Sequence, residues 1–308
     1  MNQAPIDPAR AVRGVPPDIA AWIKSKGRAF DPSIIDATRD LYLALHRRLP
    51  RPAVEFHPDL AYGPDPRHRL DLHLPALRSH TPLPVVMFFH GGGFVGGEKN
   101  AAGRLIHGNV ADTFACNGVI GINATYRLAP TAKWPEAARD VGAALAWARE
   151  NIGTYGGDPQ RIFAMGQSAG ATHVATYAFR GDLQPVAGPG LAGVILMSGL
   201  YAVEAGKVSP NAQAYFGDDA SRYPAMQVLG NIERADFPVY ASVAEFDPAP
   251  FERSTIALLL QLFQLTGRAP RFKQLLGHNH VSPAFAFGTD DPTVGPDVLD
   301  FVRGVCGT

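Results

Sequence analysis

The pentapeptide Gly-Gln-Ser-Ala-Gly at residues 166–170 has the residue types and spacing of a nucleophilic serine held in a sharp turn. An apolar run at 161–165 precedes it, and a helix-compatible segment at 171–179 follows. A strand that turns directly into a helix strains the serine backbone, and glycines on each side relieve the contact between neighbouring chain segments. The chain has 32 glycines, so the pattern can arise by chance. The strand before it and the helix after it nevertheless favour Ser168 as a nucleophile.

A second motif, His-Gly-Gly-Gly-Phe at residues 90–94, follows directly on the apolar run 84–89. Acyl transfer develops negative charge on the carbonyl oxygen, which preorganised backbone N–H groups stabilise. Glycines let such a loop approach the substrate, because no Cβ stands in the way. The N–H groups of Gly92, Gly93 and Ala169 are therefore the expected oxyanion donors. A phosphate-binding loop is the alternative, but it would end in Gly-Lys followed by Ser or Thr, which is absent here.

Two carboxylates and two histidines compete for the remaining roles. A serine in this context needs an acid and a base that follow it in the order Asp/Glu, then His. Glu245 and Asp247 come after one predicted strand, and His278 and His280 come after the next. A His-x-His pair also occurs in metal sites, but no third ligand with zinc-like spacing is nearby, so no metal is expected. Chain order leaves both pairs open, although the farther histidine is better placed to reach Ser168.

The elements that position these residues alternate between short apolar runs and longer helix-compatible segments. This alternation implies βαβ units, and hence a mostly parallel sheet with helices on both faces. Residues 70–74 alternate apolar and polar side chains, as expected of an antiparallel edge hairpin formed with residues 57–62. The predicted buried strands are 84–89, 118–123, 161–165, 191–197, 238–243 and 271–276, and the predicted helices are 32–46, 135–151, 171–179 and 251–265.

Two segments, residues 1–52 and 201–236, do not fit the alternation of strands and helices. We expect both to be cap elements over a site at the carboxyl edge of the sheet, where open α/β sheets bind ligands. Apart from this small cap, residues 1–308 are predicted to form a single domain, because the chain length suits one large α/β domain with an elaboration.

Four motifs in this order resemble those of the hormone-sensitive-lipase-like carboxylesterases and their bacterial esterase relatives. They are the segments 90–94, 126–130 (Tyr-Arg-Leu-Ala-Pro), 156–159 (Gly-Gly-Asp-Pro) and 166–170, and the resemblance spans roughly residues 55–303. The resemblance implies an α/β-hydrolase fold with an eight-stranded sheet. It also implies that the His90 side chain braces the oxyanion loop and takes no part in the chemistry.

The resemblance also separates the competing residues. Asp247 matches the position of the family's catalytic acid within its Glu-x-Asp-Pro-like pattern, which favours it over Glu245. His280 matches the family's catalytic histidine, which is followed by a small or apolar pair and then a helix. His278 matches the turn that precedes that histidine.

Three departures from the family pattern bear on the substrate. Gln167 and Ala171 stand where the family's usual Gly-Asp-Ser-Ala-Gly-Gly has aspartate and a final glycine. The N-terminal segment is less like a full lid than in the lipase branch. The loop 96–99 (Gly-Gly-Glu-Lys) also resembles feruloyl-esterase-like and arylformamidase-like relatives.

Composition and charge argue against several other classes of protein. Lys plus Arg equals Asp plus Glu, 28 each, so no net charge draws the chain toward nucleic acid or anionic lipid. Cys116 and Cys306 are too few and too far apart for a disulfide framework or a cysteine metal site. Residues 1–13 carry Asp7 and two prolines where a signal peptide needs an apolar core. No apolar stretch approaches the roughly 18 residues of a membrane span. We therefore expect a cytoplasmic protein with no nucleic-acid or membrane partner.

The function expected from these residues is two-step hydrolysis of a carboxylic ester. Ser168 attacks the carbonyl, His280 removes and returns the proton, and Asp247 orients the imidazolium. Small or short-acyl esters are expected, because the cap segments show no lipid-facing amphipathic helix. No cofactor is implied. An amidase or arylformamidase with the same residues is one alternative, and a non-catalytic receptor on this fold is another, which the intact set of three residues disfavours. A homodimer is left open.

Overall fold

The computed structural model describes residues 14–77, 79–185 and 187–307, and its centre is one eight-stranded sheet. The strands, numbered along the chain, are β1 Val54–Ala61, β2 Arg69–Pro75, β3 Leu83–Phe89, β4 Ile120–Ala124, β5 Gly157–Gln167, β6 Gly193–Met197, β7 Val239–Phe246 and β8 Arg271–Asn279. They lie side by side in the order β1-β2-β4-β3-β5-β6-β7-β8.

Six neighbouring strands, β4, β3, β5, β6, β7 and β8, run parallel to one another. The strand β2 pairs antiparallel with both β1 and β4, so β1 and β2 form a hairpin at one edge of the sheet. The prediction of an eight-stranded, mostly parallel sheet is therefore confirmed. Parallel strands bring their carboxyl ends to the same edge, so the segments after β3, β5, β6, β7 and β8 meet there.

The alternating strand β2 is more deeply buried than its sequence pattern indicates. Asp71 and His73, the polar members of the alternation, are both fully buried. They are accommodated because each has partners: Lys99 and Asn100 contact the Asp71 carboxylate, and the Nδ1 atom of His73 lies 2.7 Å from Oδ1 of Asp112. Buried polar groups are tolerated when they are paired in this way.

Helices cover both faces of the sheet. The sheet separates the apolar core into two clusters, one on each face. Within the described residues the helices are α1 Pro17–Lys26, α2 Pro32–His46, α3 Gly108–Cys116, α4 Glu136–Asn151, α5 Ala169–Phe179, α6 Pro210–Phe216, α7 Tyr223–Met226, α8 Ala249–Thr266, α9 Ser282–Ala286 and α10 Gly295–Cys306. Five of them, α1, α3, α6, α7 and α10, were not predicted from the sequence.

The helix α3 shows why the sequence pattern did not predict every helix. It begins with Gly108 and Asn109, which are poor helix formers, and nearly all of it is buried. A Cβ on Gly121 of β4 would lie 2.4 Å from the carbonyl oxygen of Ala111, so helix and strand are in direct backbone contact. The helix is therefore stabilised by packing on the sheet more than by its own residues.

The apolar face of α8 is only partly buried. Leu258 and Leu262 are buried against the sheet. Three other apolar residues are exposed: Ile256 at 54%, Leu260 at 56% and Phe263 at 50%. The apolar surface of this helix exceeds what the fold itself covers.

The two segments expected to form a cap lie near the carboxyl edge of the sheet. The helix α1 packs on β8, and α2 packs on α9, where the Nε2 atom of His46 lies 2.7 Å from the carbonyl oxygen of Phe285. In the second segment, Tyr215 of α6 stacks on Phe94 with ring centroids 4.9 Å apart. Residues 1–13, the first part of the expected cap, lie outside the described residues. None of the helices in the described ranges has the length and apolar character to cross a bilayer.

Candidate active site

Ser168 lies at the turn between β5 and α5, with φ 55° and ψ −120°. Two glycines make this left-handed turn feasible. A Cβ on Gly166 would lie 2.4 Å from the carbonyl carbon of Gly170, and a Cβ on Gly170 would lie 2.1 Å from the carbonyl oxygen of Phe89. Neither position has room for a side chain, so both glycines are sterically required. The turn leaves Ser168 at the carboxyl edge of the sheet, 7% exposed.

Ser168, His280 and Asp247 lie in a continuous hydrogen-bonded chain. The Oγ atom of Ser168 is 2.8 Å from Nε2 of His280, and Nδ1 of His280 is 2.6 Å from Oδ1 of Asp247. The three residues come from the ends of β5, β7 and β8, which the parallel sheet brings together. Such a chain can deprotonate a serine hydroxyl and orient the imidazolium that results.

The environment of Asp247 distinguishes it from its competitor. The Asp247 side chain is fully buried, and its second oxygen, Oδ2, accepts hydrogen bonds from Oγ of Ser198 at 2.6 Å and from the Ala244 N–H at 2.8 Å. Glu245 points elsewhere: its Oε2 accepts a 2.7 Å hydrogen bond from the Gly277 N–H. Glu245 therefore ties β7 to β8, and Asp247 alone of the two contacts the histidine.

His278 belongs to a separate Ser–His–Asp arrangement that is completely enclosed. Its Nδ1 lies 2.9 Å from Oγ of Ser282, and its Nε2 lies 2.9 Å from Oδ2 of Asp291. All three side chains are buried, so no substrate reaches them. Burial alone would raise the pKa of Asp291, but hydrogen bonds from His278 and Thr293 outweigh it and lower that pKa below its ordinary value. His278 was expected on a loop after the strand 271–276, but β8 continues to Asn279, so this second set ties the end of β8 and the start of α9 to the segment before α10.

The glycine loop after β3 lies against the Ser168 turn, since a Cβ on Gly91 would lie 3.3 Å from the Cβ of Ser168. Among the described residues, the N–H groups of Gly92, Gly93 and Ala169 donate to no protein acceptor. The loop turns tightly on itself, since the N–H groups of Val95 and Gly96 both donate to the Gly92 carbonyl. A Cβ on Gly92 would lie 2.0 Å from the carbonyl oxygen of Gly96. The loop therefore needs glycine at that position, and free N–H groups beside a serine suit a developing oxyanion.

His90 lies beneath this loop and holds it. Its Nδ1 is 2.6 Å from the Gly91 carbonyl oxygen, and its ring stacks on Tyr126, whose hydroxyl donates a 2.7 Å hydrogen bond to the His90 carbonyl. Burial lowers the pKa of His90 well below its ordinary value, and the neighbouring His107 adds to that effect. The Arg67 guanidinium holds the far side of the loop through the Gly97 carbonyl at 2.8 Å.

Two residues near the three-residue chain were not assigned a role from the sequence. The Ser198 hydroxyl contacts Asp247, as described above. The Nε2 group of Gln167 donates a 2.8 Å hydrogen bond to the carbonyl oxygen of His280. Ser198 follows β6 directly, between the strands that carry Ser168 and Asp247. A polar residue at the carboxyl end of that strand is a signal by which the sequence could have identified it.

No group of three or more His, Cys, Asp or Glu side chains with metal-binding geometry occurs within the described ranges. His278 and His280, the His-x-His pair, point into the two different networks described above.

Comparisons with known proteins agree with this architecture. A family model for the α/β-hydrolase fold matches residues 86–261. A probable isoprenylcysteine alpha-carbonyl methylesterase of Oryza sativa is 39% identical over 117 residues, or 38% of this chain and 27% of that protein. Esterase LipI of Mycobacterium tuberculosis is 32% identical over 193 residues, or 56% of this chain and 58% of LipI.

The solved structure of esterase B from Lactobacillus rhamnosis has a TM-score of 0.73 and 19% sequence identity, covering 94% of this chain and 97% of that chain. At this identity the likeness shows the fold. The chain spans only about a quarter of the length of the rice methylesterase and less than two thirds of LipI.

Proposed function

The chain belongs to the α/β-hydrolase-fold family, in its hormone-sensitive-lipase-like carboxylesterase branch, and from that premise we propose that it is a serine-dependent carboxylic ester hydrolase. One observation carries the proposal: the Ser168 hydroxyl lies 2.8 Å from Nε2 of His280, whose other nitrogen lies 2.6 Å from the Asp247 carboxylate. The proposed roles are nucleophile, general base and orienting carboxylate.

The proposed reaction has two steps. In the first, the Ser168 hydroxyl attacks the ester carbonyl, and its proton moves to Nε2 of His280. The N–H groups of Gly92, Gly93 and Ala169 stabilise the oxyanion, and His280 then gives the proton to the departing alcohol. In the second step, water attacks the acyl-enzyme with His280 as base, which releases the acid and restores the serine.

The test is Ser168→Ala, assayed with an aryl acetate and with a fluorophosphonate label. We expect turnover and covalent labelling to disappear, while the melting temperature stays near that of the unmodified protein, because only one hydroxyl is removed. Ser79→Ala, which alters an exposed serine before the amino end of β3, at the edge of the sheet opposite this site, serves as the matched control. Labelling of the Ser168→Ala protein would overturn the assignment.

Short acyl chains are the proposed substrates. The support is the crowded surface above the oxyanion loop, where Nδ2 of Asn211 lies 3.0 Å from the position a Cβ on Gly93 would take. The helix α6, which carries Asn211, therefore limits the space beside the loop. We expect higher kcat/KM for esters with acyl groups of about two to six carbons than for long-chain esters. Activation at a lipid interface with long-chain substrates would contradict this.

The amide and formamide alternatives use the same residues. The charged residues of the loop 96–99, which resembles that of the arylformamidases, form ion pairs within the protein. The Glu98 carboxylate pairs with Arg67 at 2.8 Å, and Lys99 pairs with Asp59 at 2.6 Å, which supports a structural role for this loop. A panel that contains N-formylkynurenine and aryl amides beside the esters discriminates these activities. We expect the esters to be preferred.

The cellular location and the oligomeric state are each proposed from a single observation. A cytoplasmic location is proposed because Cys116 and Cys306 carry no disulfide. A homodimer is proposed because Ile256, Leu260 and Phe263 expose a stripe of apolar surface on α8. Light scattering at micromolar concentration measures the assembly, and a mass of one chain would exclude the dimer.

A further inference from the structure

Two phenylalanine rings pack against the imidazole of His280. Phe251, in the first turn of α8, has its ring centroid 4.1 Å from that of His280, with the planes inclined by 36°. Phe30, in the connection between α1 and α2, meets the imidazole edge-on at 4.6 Å and 71°. Phe30 is nevertheless 42% exposed, so this residue contacts the base and also remains accessible to solvent.

The Phe30 loop is held at this position from both sides. Before it, the Arg28 guanidinium forms a 2.6 Å ion pair with Glu252, the residue next to Phe251. After it, the Asp31 carboxylate caps α2 by accepting hydrogen bonds from the N–H groups of Ser33 and Ile34. These contacts fix a segment that lies roughly 220 residues from α8 along the chain. The exposed ring is thus part of a defined surface.

The chemistry of ester cleavage determines which part of a substrate lies beside this surface. The proton that leaves Ser168 moves to Nε2 of His280 and then to the oxygen of the departing alcohol. That oxygen must come within hydrogen-bond distance of Nε2, whereas the carbonyl oxygen points to the glycine loop. Groups that touch the imidazole are therefore neighbours of the alcohol side of the ester.

We propose that Phe30, backed by Phe251, forms an apolar binding site for the alcohol group, and that the enzyme prefers esters of aromatic alcohols over those of small alkyl alcohols. This inference rests on the proposed ester hydrolase function. An accessible aromatic side chain beside the base can give a planar apolar alcohol group both buried area and ring–ring contact. Phe30 is then a specificity-determining residue that the N-terminal segment supplies to the site.

The test compares benzyl acetate with ethyl acetate in the unmodified protein and in Phe30→Ala. The two esters share the acetyl group, and their alcohols are similar leaving groups, so the ratio of their kcat/KM values reports the alcohol contact. We expect Phe30→Ala to lower kcat/KM for benzyl acetate about tenfold more than for ethyl acetate. Hydrolysis of the acetyl-enzyme, measured by the steady-state rate that follows the burst with an aryl acetate, should not change, because the alcohol has left by then.

Two further variants separate this role from others. Phe272→Ala removes a ring of matching exposure, 43%, at the amino end of β8, the edge of the sheet opposite the site, and should leave the benzyl-to-ethyl ratio unchanged. Arg28→Met removes the ion pair that holds the loop and should lower the ratio in the same direction as Phe30→Ala, by a smaller factor. The ratio of ethyl butyrate to ethyl acetate tests the acyl side, and we expect it to be the same in all variants.

The outcomes are distinct. An equal loss for benzyl and ethyl acetate in Phe30→Ala would mean that the ring only supports His280, and would overturn the proposal. A changed butyrate-to-acetate ratio with an unchanged benzyl-to-ethyl ratio would place Phe30 on the acyl side and would also overturn it. An unmodified protein that neither hydrolyses esters nor takes a fluorophosphonate label would instead contradict the proposed function itself.

Discussion

The Ser198 hydroxyl donates a 2.6 Å hydrogen bond to Oδ2 of Asp247, the carboxylate oxygen opposite the one that contacts His280. Ser198 holds this position with φ 50°, a left-handed conformation that a non-glycine residue adopts only under constraint. Its N–H donates to the Ser242 carbonyl at 2.9 Å, so the neighbouring strand imposes the conformation. Both oxygens of the proposed catalytic acid are thereby fixed by hydrogen bonds.

Removing the Ser198 hydroxyl should lower catalysis. A hydrogen bond to a charged group is worth about 1.5–3 kcal/mol, so we expect Ser198→Ala to lower kcat about ten- to hundredfold with little change in KM. Ser198→Gly should lose as much activity but melt at a higher temperature than the alanine variant, because glycine tolerates this φ. The control is Ser242→Ala, since the buried Ser242 hydroxyl has no partner among the described residues. Full activity of Ser198→Ala would show that the hydrogen bond does not support the site.

Substitutions of the two histidines at the end of β8 should have different effects. We expect His280→Ala to lower kcat by at least about three orders of magnitude, because members of such a chain act as a unit. His278→Ala should retain activity within about tenfold per folded molecule. It should, however, lose stability by about 3–5 kcal/mol, because the buried Asp291 carboxylate loses its partner. Steady-state kinetics and urea unfolding measure the two effects. A larger loss of turnover in His278→Ala would reverse the roles.

The Gln167 side chain should be required as a donor. Gln167→Glu has nearly the same shape but places a carboxylate beside the His280 carbonyl oxygen, to which Nε2 of Gln167 now donates at 2.8 Å. Repulsion should shift the His280 loop and lower kcat/KM about tenfold, since small displacements of a base are costly to catalysis. Gln160→Glu adds the same charge at an exposed position of β5 and should be neutral. Equal activity of the two variants would argue against the positioning role.

Stability should fall on mild acidification because of a buried histidine. His173 lies among the rings of Phe94, Tyr126 and Tyr215, and burial lowers its pKa from 6.5 to about 3. The folded pKa is below the unfolded one, so this contribution is present above pH 6.5 and is lost as the unfolded chain takes up a proton below it. From pH 7.5 to pH 5 the loss due to His173 is about 2 kcal/mol.

Urea unfolding at pH 7.5 and pH 5 measures this change in the free energy of unfolding. His173→Phe, which places a non-titrating ring among the three aromatic neighbours, should reduce the pH dependence by about 2 kcal/mol. The pH dependence should not vanish, because burial also lowers the pKa values of His46, His90 and His107. His80→Gln, at an exposed position, should leave the dependence unchanged. An unaltered slope in His173→Phe would mean that this residue does not contribute to acid sensitivity.

The sequence alone was sufficient for the sheet and for the turn that holds Ser168. Apolar runs alternating with helical segments predicted the parallel strands, because each such strand is buried on both faces and shows this in its own residues. The turn was equally local: Gly166 and Gly170 are required by contacts within five residues and with the adjacent strand end. A pattern that is stabilised by neighbouring residues can be recognised without the fold.

Only the tertiary structure decided the relations between residues that are far apart in the chain. Spacing and chain order left Glu245 and Asp247, and likewise His278 and His280, as competitors, and the family resemblance favoured one of each pair without showing a contact. The convergence of the ends of β7 and β8 brings Asp247 and His280 to Ser168 and leaves Glu245 and His278 with supporting contacts. Phe30 reaches His280 from the other end of the chain. Such contacts depend on how strand ends and connections converge at one edge of the sheet, which residue spacing alone does not determine.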